Sequence, residues 1–155
     1  SLKGLLSMLQ KILVGYDDEP RSQKALEIAI EMAKCNQAEI FIVSSLALPL
    51  YVSSPDVFSV DNISITKYFS DTARRHFEEL HQKASAKVKA SGLKVTTKIL
   101  DGNPGKALIR YAEEINADLI AVGSNNKGIL NRFLLGSVSN FVVHHAKCMV
   151  LVVKS

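Results

Sequence analysis

Apolar residues in this chain fall into short continuous runs, separated by stretches in which they recur every three or four positions. Residues 11–16 (KILVGY) are the first run, rich in β-formers and stopped by Asp17, Asp18 and Glu19, and they read as a strand. Pro20 suits the first turn of a helix, and Ala25, Leu26, Ile28, Ala29, Met32 and Ala33 then make one apolar face. Residues 38–46 (AEIFIVSSL) form a second run, the pattern of a strand covered on both faces of a parallel sheet. Residues 47–64 hold Pro49, Ser53, Ser54, Pro55, Asp61 and Asn62 with no sustained period, which predicts a long loop or insertion. From about residue 65 to 90, Phe69, Ala73, Phe77, Leu80, Ala84 and Val88 mark a long amphipathic helix closed by Ser91 and Gly92.

Residues 93–100 alternate, Lys94, Thr96 and Lys98 against Val95 and Ile99, as an edge strand does. Asn103 is placed to cap a helix that Pro104 opens and that Ala107, Leu108, Tyr111, Ala112 and Ile115 stripe, ending near Asn116. Residues 118–122 make a strand leading into Gly123. After a polar stretch, residues 136–146 read as a helix through Val138, Phe141 and Val142, and Met149–Val153 as the last strand. Five strands joined by helices require right-handed crossovers. They predict the α/β class, a single-domain three-layer sandwich around a five-stranded parallel sheet, whose ligands sit beyond the carboxyl ends of the strands. Those ends carry Asp17, Ser45 and Gly123.

A length of 155 residues with 47% hydrophobic and 22% charged content fits one globular domain with its own core, and excludes disorder, collagen and coiled coil. Nineteen Lys+Arg against 15 Asp+Glu give a net charge of +4 spread without runs, so no nucleic-acid partner is expected. Cys35 and Cys148 stand far apart in no CxxC pair, so neither a disulfide framework nor a zinc site is expected, and a reducing, cytoplasmic setting fits. No apolar run approaches the roughly 20 residues of a membrane span, and the start lacks the apolar core of an export signal. Met8 directly before the first strand reads as a natural initiator. Residues 1–7 are therefore expected to be a leader or a disordered extension, and residues 8–155 the domain.

Residues 123–128 (GSNNKG), followed by Gly136, Ser137, Val138 and Ser139 opening a helix, have the physics of an anion site: close backbone approach, outward N–H groups, hydroxyls and a favourable dipole. A turn and a serine-capped helix explain the same spacing equally well, and neither a Walker A nor a GxGxxG sequence occurs. Lys127 and Arg132 read as solvated charges. His76 and His81 are five apart and His144 and His145 adjacent, which is not metal-ligand spacing, so they read as surface or partly buried histidines. Glu113 and Glu114 read as solvated, Cys148 as a buried structural thiol, and no catalytic residue is assigned.

KILVGYD at residues 11–17, ILDGNPGKALIRYAEEINADLIAVGS at residues 99–124 and KGILNRFLLGSVSNFVVHHAKCMVLVVK at residues 127–154 resemble the universal stress protein family over almost the whole chain. The resemblance implies a fold like that of flavodoxins and adenine nucleotide alpha hydrolases, strand order 3-2-1-4-5. It also implies a homodimer through Met149–Val153, and ATP held by a G-x-x-G, nine residues, G-[ST] pattern. Gly123 and Gly136–Ser137 match that pattern, while Asn126 stands at its middle glycine; Asn is the non-glycine residue most tolerant of left-handed backbone. By the same resemblance Asp17, after Gly15 and Tyr16, lies by the ribose and adenine, Ser45 offers its backbone to the adenine edge, and Val122 walls the base. Gly123 and Ser124 approach the ribose, and Asn125, Asn126, Gly136, Ser137, Val138 and Ser139 surround the phosphates, which carry Mg²⁺. Asp18 and Glu19 depart from the family's usual glycine and serine. The function implied is an ATP-binding stress-response module whose nucleotide state modulates dimer or partner contacts. The alternatives are a nucleotide-free dimeric interaction protein and a slow ATPase or self-phosphorylating protein using Ser137 or Ser139.

Overall fold

The computed structural model describes residues 1–17, 19–46, 60–124 and 136–154. Ahead of the first strand, where a leader or disordered extension was expected, lies the short helix α1 (Leu2–Ser7), capped by the Ser1 hydroxyl, with Leu6 touching the core. Strand β1 (Lys11–Gly15) leads into α2 (Pro20–Lys34), whose first turn holds Pro20, and then into β2 (Glu39–Leu46). Helix α3 (Val60–Ala90) begins about five residues before the apolar period becomes visible, so residues 60–64 are helix and not loop; residues 47–59 lie outside the described residues. β3 (Val95–Asp101), α4 (Pro104–Ile115), β4 (Leu119–Gly123), α5 (Ser137–His145) and β5 (Met149–Val153) complete the chain. Asn103 caps α4 by accepting from the Lys106 N–H at 3.1 Å, and Asn116 ends it with left-handed backbone at φ 54°.

The sheet is wholly parallel in the order β3-β2-β1-β4-β5, and β3 and β5 are its edges. Side chains alternate across it. Ile12, Val14, Ile40, Ile42, Leu119 and Ala121 face the layer that contains Ala25, Leu26 and Ala29 of α2 and Ala84 and Val88 of α3. Leu13, Phe41, Val43, Ile120 and Val122 face Leu108 and Ala112 of α4 and Val142 of α5. Both faces of the central strands are therefore apolar, which is why their sequences read as runs. Where β1 and β4 begin, the Asp118 carboxylate accepts from the Gln10 and Lys11 N–H groups at 2.9 and 3.0 Å, tying strands distant in sequence at one end.

Helices α4 and α5 approach closely because Gly105 has no side chain: a Cβ there would stand 2.8 Å from Phe141 Cδ1 and 2.9 Å from its Cγ. Gly105→Ala is expected to cost about 1–3 kcal/mol, the range for overpacking. Thermal melts check this, and Gly105→Ala combined with Phe141→Leu should recover part of the loss.

Candidate functional site

A cavity of about 880 Å³ opens at the carboxyl ends of β1, β2, β4 and β5, where α2, α4 and α5 begin. Gly15, Tyr16, Asp17, Ser45, Val122, Gly123, Gly136, Ser137, Val138 and Ser139 all line it, so residues singled out from distant parts of the sequence share one wall system. Asn125 and Asn126, with Lys127, Gly128 and Arg132, lie outside the described residues. Ser124 lies at the end of β4 but is buried; its N–H donates to the Val153 carbonyl at 2.9 Å and its own carbonyl accepts from the Arg21 guanidinium.

The turn after β1 is built around the Asp17 carboxylate. Its Oδ1 accepts from the Glu19 N–H at 2.9 Å and lies 2.7 Å from Ser22 Oγ, while the Asp17 N–H donates to Ser22 Oγ at 3.1 Å. One oxygen thus braces the start of α2, as an Asx turn does, while Oδ2 has no hydrogen bond to the described residues.

Gly123 owes its lack of a side chain to helix packing. A Cβ at this position would lie 2.8 Å from Arg21 Cβ and from the Ser22 backbone nitrogen. The phosphate-loop reading of this glycine did not anticipate that contact. Across the cavity, Gly136 caps α5 without a side-chain bond, and the first-turn residues Ser137 and Val138 border the open space with the positive end of the helix dipole. Ser139 is fully buried and its hydroxyl donates to the Gly136 carbonyl at 3.1 Å, so it is not presented as a phosphoryl acceptor. Ser45 Oγ donates to the Gly102 carbonyl at 2.8 Å, pinning the end of β2 to the turn before α4.

Several lining residues were not marked as site residues by the sequence: Arg21, Lys24 and Lys154 bring positive charge to the rim, and Val43, Leu108 and Phe77, legible only as core positions, bring apolar wall. Ser22 was equally unmarked. His81, expected at the surface or partly buried, is instead buried. It is 4% exposed, and its Nε2 lies 2.7 Å from Ser44 Oγ, which in turn donates to the Tyr16 carbonyl at 2.5 Å. A signal did exist: Phe77, His81, Ala84 and Val88 are spaced four, three and four, the inward stripe of a helix. Burial lowers the His81 pKa from its ordinary 6.5. Burial pushes the Cys148 thiol up, as suits a structural and not a nucleophilic sulfur.

The sequence profile of the universal stress protein family matches residues 8–154, nearly the whole chain. The chain belongs to the universal stress protein family. Universal stress protein MJ0531 of Methanocaldococcus jannaschii is 32% identical over 148 residues, spanning 96% of this chain and 84% of that protein. Among solved structures, the universal stress protein UspA of Lactobacillus plantarum superposes with a TM-score of 0.81 at 24% identity, covering 94% of this chain and 97% of that one. A universal stress protein in complex with cAMP superposes at 0.68 and 24% identity, over 94% of this chain and 97% of that one. The five-stranded parallel sheet in the order 3-2-1-4-5 is thus the family's fold. Among the described residues no helix is long and apolar enough to cross a membrane.

Proposed function

We propose that this universal stress protein binds an adenine nucleotide in the cavity, specifically ATP with Mg²⁺ carried on its phosphates, and that occupancy modulates pairing of two chains or contact with a protein partner in the cytoplasm. The observation that carries this reading is the convergence of Asp17, Val122, Gly123 and the first turn of α5 on one cavity at the strand ends. Val43, Leu108 and Val122 offer an apolar slot for the base, Asp17 Oδ2 an acceptor for ribose hydroxyls, and the α5 amides with Arg21, Lys24 and Lys154 a positive surround for phosphates. Among the described residues no three of His, Cys, Asp or Glu cluster as metal ligands, so in this reading Mg²⁺ rides on phosphate oxygens and water. The cAMP complex of a related fold supports a nucleoside phosphate as ligand. Pairing through β5 is supported by its place at the sheet edge, with Val150 to Val153 half-buried and Met149 exposed.

Calorimetric titration of Mg·ATP into nucleotide-stripped protein tests the proposal. Saturation near one ATP per chain below millimolar concentration is expected. Asp17→Asn, which keeps an oxygen acceptor for the turn but removes the charge, should bind about 10-fold or more weakly, the worth of a charged hydrogen bond. No heat and no rise in melting temperature up to millimolar ATP would overturn the nucleotide reading. Sedimentation with and without ATP tests the pairing.

A further inference from the structure

The one buried histidine among the described residues lies behind the cavity and not in it. Position 44 faces the same side of the sheet as Ile40 and Ile42, toward α3, and there Ser44 meets His81 across 37 residues of sequence. The direction of the chain of bonds follows from counting protons. The Tyr16 carbonyl only accepts, so the single Ser44 hydroxyl proton goes to it at 2.5 Å, and His81 Nε2–H donates to Ser44 Oγ at 2.7 Å. The basic nitrogen is then Nδ1, which is not a sealed, unpartnered atom, and His81 lines a groove of about 670 Å³ between α3 and β3. Tyr16 immediately precedes Asp17, and both Tyr16 and Ser44 line the nucleotide cavity.

We propose that His81 is a positioning residue of the cavity: from α3 it holds Ser44, and through Ser44 the Tyr16 carbonyl, so that the turn carrying Asp17 keeps its shape. The ligand in this inference rests on the nucleotide reading; the chain of contacts does not. Among the described residues the charged groups lining the groove beside the imidazole are Arg74, Glu78 and Lys89 on α3 and Lys98 on β3, and Arg74 is ion-paired with Asp101 of β3 at 3.2 Å. Ser44 of β2 and the Tyr16 carbonyl are neutral. A proton on Nδ1 makes a buried cation beside Lys89 and Lys98, with Glu78 the one carboxylate lining the groove among the described residues, and hydrating it draws α3 away from β2 and frees Ser44. The sign follows from linkage. The folded state holds His81 neutral below the pH at which the unfolded chain takes up its proton, so stability from this group is full above pH 6.5 and is lost as pH falls from 6.5 toward the lowered folded value.

The test is a ¹H–¹⁵N NMR titration of the full chain from pH 7.5 to 5.0 without nucleotide, joined to ATP titrations at pH 7.5 and 5.5, on wild type, His81→Gln and His81→Leu. Gln offers a donor near the position of Nε2 and does not titrate. The expected result is that the Tyr16, Asp17 and Glu19 amides of wild type move with the His81 ring at one midpoint below 6.5, and that His81→Gln lacks this step. ATP affinity of His81→Gln should match wild type within about twofold at pH 7.5, and wild type should lose up to about tenfold per pH unit relative to it below that midpoint. His81→Leu, folded by circular dichroism, should displace the same amides and weaken ATP at least fivefold already at pH 7.5, which decides the matter even where the ring stays neutral throughout. Tyr16 and Asp17 amides unmoved in His81→Leu, or a titrating ring that those amides do not follow, would overturn the inference. Failure of wild type to bind ATP at any pH removes the nucleotide reading alone, and the amide shifts still judge His81.

Discussion

Replacing Gly123 with alanine is expected to lower the melting temperature by about 2–12 °C and to weaken ATP binding at least tenfold. The added carbon would meet Arg21 Cβ and the Ser22 nitrogen at 2.8 Å and the Arg21 carbonyl carbon at 2.9 Å. Two of those three atoms are backbone, so the contact is relieved only by retreat of the first turn of α2. Overpacking of this kind costs about 1–3 kcal/mol, and each kcal/mol shifts the melting temperature of a domain this size by about 2–4 °C. The retreat also separates Ser22 from Asp17 and Arg21 from the Ser124 carbonyl, so stability and binding fall together. Calorimetry and thermal melts on the one variant check both, and an alanine there that leaves ATP affinity unchanged would contradict the packing account.

Ile120→Ala should destabilise more and disturb the site less. Ile120 has no exposed surface and sits among Leu13, Val122, Leu108 and Val142 on the α4–α5 side of the sheet. Truncating a buried isoleucine removes its transfer energy and leaves a cavity, about 2–5 kcal/mol in all, or roughly 4–20 °C in melting temperature. Because position 120 faces helices and not the cavity, ATP affinity measured well below the transition should stay within about twofold of wild type. In urea the midpoint should fall with an unchanged slope, since the surface exposed on unfolding is nearly the same.

The contrast between these positions shows what the chain discloses before folding. Strands β1, β2 and β4 were legible because both of their faces are apolar, and α4 because Asn103, Pro104 and Asn116 punctuate it. The start of α3 was hidden, since Asp61, Asn62 and Ser64 mask any period. The residues around the cavity were legible as a resemblance and as helix-opening chemistry at Gly136 and Ser137. What Gly123 accommodates was not, because the nearness of α2 to the end of β4 depends on sheet order and not on local sequence. Arg21 was missed for the same reason, since its partner Ser124 is 103 residues away, whereas the Ser22–Asp17 contact is local to the β1–α2 turn and carried no family motif to mark it. His81 differs, because its burial was legible from its place in the inward stripe of Phe77, Ala84 and Val88, while its partner Ser44 lies 37 residues away and was not.

The strand order carries a consequence for how the protein comes into being. β1 pairs on one side with β2, the next strand in sequence, but on the other with β4, so that Leu13 must find Ile120. Contacts of such long sequence separation slow the search for the native state, because loop closure precedes any reward from pairing. During synthesis, β1, β2 and β3 with their helices can assemble while one edge of β1 stays bare, an open template for wrong strand partners. The cavity spans β1 and β4, so it does not exist in that half-assembled state. A nucleotide that binds there therefore recognises only completed chains, and its stabilisation reaches the protein after the most aggregation-prone stage has passed.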